Sequence, residues 1–387
     1  MPRGGSGEGR GRRTSGVPQG VRGAFPCRTR RPGARTPDAS LPRAQRTPRA
    51  HGLDRGLPRP GERNHQPLEQ REGTLSALVI DTDPGLDDAH ALAMALTPSA
   101  RRPHVPVAAL CTVAGNTGID AVTANARWLL GAYGEQAART PVHRGAAGPL
   151  AGHGAAAPHI HGSDGLGDLT RWPVTEVMED HVPAARALID SARRDPGRIT
   201  LVALGPLTNV ALALRLEPRL PQLLQRVVVM GGAVNGRGNH TMNAEFNIVA
   251  DPAAADLVLA HFPRLTLLTW DATLACPFTP DELESFFEGE TAAATTLRRI
   301  VHNRYLTDPG YAGRSHYLRP DPLAMAVALD PTVVTRSVRH RVYVGYGPGT
   351  LQHGVTAVDW QDTRSDRPPI TIVQELDRDR LLELLRV

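Results

Sequence analysis

The residues best equipped for chemistry lie together. Asp81-Thr82-Asp83-Pro84-Gly85-Leu86-Asp87-Asp88 places four carboxylates in eight residues, directly after the apolar run Ala77-Leu78-Val79-Ile80. Pro84 and Gly85 permit a tight turn, and a helix is expected to begin near Asp87. Helix capping accounts for one or two of the acids, because the free N–H groups and dipole of a helix start favour carboxylates. It does not account for Asp81 and Asp83, which leave the strand together and would repel Asp87 and Asp88. Four converging carboxylates call for a cation, and all-oxygen ligation suits Ca²⁺ or Mg²⁺ rather than zinc. The spacing is not that of an EF-hand loop.

The elements that must carry this loop follow a repeating pattern. Short apolar segments at 77–80, 105–113, 199–204, 227–230 and 265–269 read as strands. Amphipathic stretches at 87–96, 119–133, 182–192, 208–216, 252–261 and 291–306 read as helices between or after them. Later, 339–346 and 370–373 read as strands and 378–385 as a closing helix. Strand followed by helix, repeated, implies right-handed crossovers. The expected class is α/β: an open, mostly parallel Rossmann-like sheet with helices on both faces. Ligands of such folds sit beyond the carboxyl ends of the strands.

Composition narrows the function classes. The chain has 387 residues, and its 44 basic residues are all arginine. Schiff-base and phosphate-loop lysine chemistry is therefore excluded. Residues 1–74 hold 16 arginines against 6 acids, with 13 glycines and 10 prolines; the remainder holds 28 arginines and 33 acids. The first 74 residues are expected to form a disordered extension, since they offer too little apolar surface to offset ordering. Residues 75–387 are expected to form the catalytic domain. Its acidic balance argues against nucleic acid as a partner. No run of ~18 apolar residues predicts a membrane span. Three widely spaced cysteines, Cys27, Cys111 and Cys276, fit a reducing, cytoplasmic setting better than a disulfide framework.

From the acidic loop onward the chain resembles the inosine–uridine-type nucleoside hydrolases, whose Asp-Thr/Cys-Asp-x-Gly-x-Asp-Asp signature is met by residues 81–88. The resemblance continues in order through Val113-Ala114-Gly115-Asn116, His161-Gly162-Ser163-Asp164-Gly165, Leu204-Gly205-Pro206-Leu207-Thr208-Asn209, Met230-Gly231-Gly232, Ala244-Glu245-Phe246-Asn247 and Asp321-Pro322. It implies hydrolysis of the N-glycosidic bond of a ribonucleoside to ribose and free base, through an oxocarbenium-like sugar. It further implies Ca²⁺ held by Asp83, Asp88, the Leu204 carbonyl and Asp321, with Asp83 as general base toward the attacking water. Asp81 would orient these groups. Asp87, Asn116, Asn239, Glu245 and Asn247 resemble the ribose contacts, and His161 lies in a matching active-site loop. A homodimer or homotetramer is implied as well.

One position departs from the pattern. Many relatives carry a histidine just before the last metal-binding aspartate, placed to protonate the departing base; here that residue is Pro320. Protonation is left to His161, His240, Tyr305 or Tyr311, with His316 a weaker candidate, or is replaced by stacking of the base on an aromatic ring. Trp270 reads as packing and Asp271 as hydrogen-bonded in the sheet crevice. Arg314 and Arg319 are expected on a solvated rim. Base preference is open. Two other readings compete. An aspartyl-phosphate phosphatase is suggested by Asp81-x-Asp83 but opposed by the missing lysine and the doubled Asp87-Asp88. A catalytically impaired nucleoside- or ribose-binding protein would follow if Pro320 had cost the chain its leaving-group chemistry.

Overall fold

Four aliphatic residues followed by Asp81 and Thr82 form strand β1, Ala77–Thr82, and are almost wholly buried. Burial on both faces is what a parallel strand covered by helices demands. The computed structural model describes residues 77–99, 102–306, 308–310 and 313–387. The expected extension at residues 1–74 lies outside the described residues.

β1 pairs in parallel with β2 (Val107–Thr112) on one side and β5 (Ile199–Ala203) on the other. Outward from β2 come β3 (Val142–Arg144) and β4 (Glu179–Asp180); outward from β5 come β6 (Arg226–Met230) and β7 (Leu265–Leu268). β8 (Val334–His340) forms the far edge, antiparallel to β11 (Ile370–Leu376), which lies between β7 and β8. The nine-stranded order is therefore β4-β3-β2-β1-β5-β6-β7-β11-β8, and β9 (Val342–Val344) with β10 (Thr356–Val358) makes a separate ribbon. The chain leaves β1 in one direction and later returns to its other side, so a crevice opens at the carboxyl end of β1.

Eight longer helices cover the sheet: α1 (Leu86–Leu96), α2 (Ile119–Ala132), α3 (Ala184–Arg194), α4 (Thr208–Leu216), α5 (Pro252–His261), α6 (Ala292–Val301), α7 (Pro320–Leu329) and α8 (Arg378–Leu384). Two apolar cores result. One packs α1, α2, α6 and α7 against one sheet face, the other α3, α4 and α5 against the opposite face. The expected α/β class is what the chain adopts. Three local expectations change. The stretch 291–306 ends its α-helix at Val301 and continues as a π-helical turn, His302–Leu306. The expected strand 339–346 is broken at Arg341 and begins earlier, at Val334. Asp321 lies in the first turn of a ten-residue helix that the prolines at 320 and 322 had masked, although proline is tolerated in a helix's first turn. No helix among the described residues is long and apolar enough to cross a membrane.

Candidate active site

The loops at the carboxyl ends of β1, β2, β5 and β6 converge on a cavity of about 410 Å³. Every expected site residue except Asp88 borders it: Asp83, Asp87, Asn116, His161, Leu204, Asn239, Glu245, Asn247 and Asp321. Asp88 is fully buried in the first turn of α1. Residues distant in sequence are thus gathered at the switch point of the sheet.

The acidic wall is tightly held. Asp83 Oδ2 accepts the Asn116 backbone N–H at 2.7 Å. Asn116 Nδ2 donates to the Asp83 carbonyl at 3.0 Å and to Asp88 Oδ2 at 3.2 Å. Asp88 also accepts from the Gly85 N–H at 2.9 Å and from the Thr82 hydroxyl. A β-carbon at Gly115 or Gly205 would collide with the Asp83 carboxylate, so both positions require glycine to let the chain approach it. Asp81 lies one layer deeper. One of its oxygens accepts from Asn209 Nδ2 at 2.7 Å and the other has no hydrogen-bond partner among the described residues. Burial lifts the Asp81 carboxyl to about 7, against the opposing pull of Asn209.

Among the described residues, Asp87, Asp88 and Asp321 can each present an oxygen within 4.8 Å of the others, a spacing one cation could bridge. Asp83 is not in this tightest group, whereas Asp87, expected on the ribose, is. Asp83 still borders the same cavity and repels the group. Its carboxyl is pushed well above the usual range by burial first and by Asp88 next. Asp321 is pushed up by burial and then by Asp87, Asp88 and Asp83. Asp88 is raised by burial and then Asp87, opposed by its bonds to Thr82 and Gly85. Buried carboxylates that mutually resist ionisation are relieved by a positive charge between them, and carboxylates with a carbonyl form a donor set suited to a hard divalent ion.

The facing wall is built from the segment after β6. Glu245 caps the short helix Phe246–Ala250 and accepts from the N–H groups of Gly232, Asn247 and Ile248 at 3.0, 3.0 and 3.2 Å. Burial nonetheless raises its carboxyl. Asn247 Nδ2 donates to the Leu204 carbonyl at 2.6 Å, so the oxygen expected to face a metal is already in a polar contact. Asn239 is exposed, and its Oδ1 accepts the Phe246 N–H at 2.8 Å.

His161 ends a helical turn, Pro158–His161, and is buried. Its Nδ1 accepts the Leu86 N–H at 3.2 Å, which leaves the hydrogen of the neutral ring on Nε2. Burial holds the imidazole down to about 4, against the attraction of Asp87. The unfolded ring takes up a proton near 6.5. The unfolded state therefore binds more protons between about 6.5 and about 4, and this contribution to stability is complete above that window and lost as pH falls through it. Ring ¹⁵N–¹H correlation spectra at pH 6 are expected to show His161 neutral and protonated at Nε2; an imidazolium signal there would refute the assignment.

Aromatic and apolar side chains complete the lining. Trp270 packs on the core, as expected, and also lines the cavity. Asp271 accepts the Val234 N–H at 2.7 Å. Tyr305 and Tyr317 stand edge to face at 5.3 Å, and the Tyr317 hydroxyl donates to the Tyr305 carbonyl at 2.9 Å. His316 borders the mouth, while His240 packs on Phe246 and does not line the cavity. Tyr311 lies outside the described residues. Phe246, Ile160 and Tyr317 were missed as wall residues, because apolar letters beside polar motifs carry no signal of which cavity they face. Arg314 is exposed at the mouth as expected, but Arg319 is not on a rim: it is fully buried. Pro320 at the first position of α7 disfavours a helical backbone at the preceding residue, and Arg319 takes φ −135° and ψ 67° with its side chain buried.

The lining combines carboxylates that can hold a cation and hydroxyl groups with aromatic rings that can take a flat ring. The comparisons agree with it. Residues 78–383 match the model of the inosine-uridine preferring nucleoside hydrolase family. The chain is 34% identical over 308 residues to the inosine-uridine preferring nucleoside hydrolase of Leishmania major, covering 78% of this chain and 94% of that one. It is 33% identical over 318 residues to that of Crithidia fasciculata, covering 80% and 95%. A solved plant nucleoside hydrolase superposes with a TM-score of 0.72 at 30% identity over 81% of this chain and 98% of its own. An inosine-guanosine nucleoside hydrolase does so with a TM-score of 0.71 at 31% identity, covering 81% and 98%. Motif order, cavity and matched length together mean that the chain belongs to the inosine-uridine preferring nucleoside hydrolase family and is a hydrolase of N-glycosyl bonds.

Proposed function

We propose that this enzyme hydrolyses ribonucleosides to ribose and free base in a Ca²⁺-dependent reaction with Asp83 as general base. The observation that carries the reading is the convergence of buried Asp87, Asp88 and Asp321, with Asp83 beside them, at one end of a cavity large enough for a nucleoside. Asp83, Asp88, Asp321 and the Leu204 carbonyl would hold the ion. When bound, calcium supplies a positive charge that lowers the pKa of a nearby water and favours the ionised carboxylates. Asp83 then takes a proton from the attacking water, and its fixed bond to the Asn116 N–H keeps the accepting oxygen aimed.

Asp87, Asn116, Asn239, Glu245 and Asn247 meet the ribose hydroxyls. His161 offers its Nε2–H as a hydrogen bond rather than a stored proton, because its ring is neutral at physiological pH. The base packs against the aromatic lining residues Trp270 and Tyr305. The catalytic body is residues 75–387, acting as a homodimer or homotetramer, which sedimentation velocity reads directly.

The test is reducing-sugar release from a panel of ribonucleosides and their 2′-deoxy counterparts. Ribonucleosides should be cleaved, and the deoxy compounds should lose about 100-fold or more in kcat/KM, because a missing hydroxyl strands buried polar partners. Equal rates for both sugars would sink the ribose assignment. Tight nucleoside binding with no sugar released would favour the impaired-binding-protein reading.

A further inference from the structure

Arg319 is the largest fully buried side chain among the described residues. A guanidinium has five N–H donors and cannot shed its charge in a protein. Here Nη2 donates to the Leu86 carbonyl at 3.3 Å, while Nε and Nη1 have no hydrogen-bond partner among the described residues. The guanidinium carbon lies 5.6 Å from the centre of the Tyr305 ring. A permanently charged group so poorly satisfied is costly to bury, and it must be held there by its surroundings.

Those surroundings are the starts of two helices. Leu86 is the first residue of α1 and immediately precedes Asp87 and Asp88. Arg319 is the N-cap of α7, two residues before Asp321. The two helices pack directly on each other. The single bond from Arg319 to Leu86 therefore crosses between the elements that deliver the three closest carboxylates. The same Leu86 residue donates its N–H to His161, and Tyr305 brings the aromatic wall against the guanidinium. Pro320 fixes the backbone from which the arginine reaches.

We propose that Arg319 is a positioning residue that ties the start of α1 to the start of α7 and so sets the separation of Asp87 and Asp88 from Asp321. This rests on the calcium reading above. The role is one of geometry: a buried positive charge close to a cation site would, taken alone, repel the cation.

That opposition gives the test. Calcium binding to the metal-free protein is measured by isothermal titration for wild type, R319M and R319K, with folding checked by circular dichroism and with kcat and KM determined separately. R319M removes both charge and fork; R319K keeps the charge and can make one bond to Leu86. Calcium Kd should rise about 10-fold or more for R319M, in line with losses at groups that orient metal ligands, and R319K should fall between it and wild type. A folded R319M that binds calcium as tightly as wild type, or more tightly as loss of a repelling charge would give, overturns the proposal. Should R319M not fold, R319K decides by the same criterion. Absence of calcium binding by wild type overturns both readings, whereas normal wild-type binding with unaffected variants overturns only this one.

Discussion

Asp83→Asn is expected to lower kcat about 10³-fold, the scale at which a positioned general base contributes. The asparagine keeps the shape of the carboxylate and can still accept the Asn116 N–H, but it can neither remove a proton nor carry charge. Folding should survive and improve. The wild-type carboxyl is held well above its usual range by burial and by Asp88. Between the unfolded carboxyl's ordinary value near 4 and its raised folded value, the folded state binds more protons, so stability falls as pH rises through that window. The metal-free asparagine variant should therefore melt no lower than wild type at pH 7, and its advantage should vanish toward pH 4. Steady-state sugar release and thermal melts at both pH values check this. A variant retaining a tenth of wild-type turnover would remove Asp83 from its assigned role.

Exhaustive chelation should bring the wild-type rate to background, and returned Ca²⁺ should restore it. Mg²⁺ should restore less, because it demands a tighter octahedral shell than a mixed cage of aspartates and a carbonyl offers. The same titration should stabilise the fold by about 4 kcal/mol at a thousandfold excess over Kd. For a domain of this size that is a melting shift on the order of 10 °C. Protons compete for the same oxygens, since burial and mutual repulsion raise Asp88 and Asp321. Calcium affinity should therefore weaken as pH is lowered toward 5. Undiminished ribose release after chelation would end the metal-dependent account.

Much of this was legible in the letters. Long aliphatic segments fixed the central strands, because burial on both faces leaves little alternative. β3 and β4 escaped notice because Val-His-Arg and Glu-Asp are too short and too polar to carry a strand's periodicity. The acidic loop announced itself by repulsion, and the order of the polar motifs indicated the cavity wall. Arg319 was misplaced because arginine is usually solvated, and only tertiary packing shows that Pro320 and Tyr305 turn it inward. The ring state of His161 was equally hidden, since it depends on a backbone N–H 75 residues away.

The place of β11 has a consequence for biosynthesis. This strand fills an interior slot between β7 and β8, yet it follows both of them in the chain. Until it arrives, β7 presents an open hydrogen-bonding edge, the kind of surface through which nascent chains stick to one another. The sheet therefore closes on this side only after β11 has been made, and a chain cut short before Ile370 is left with β7 as an aggregation-prone open edge.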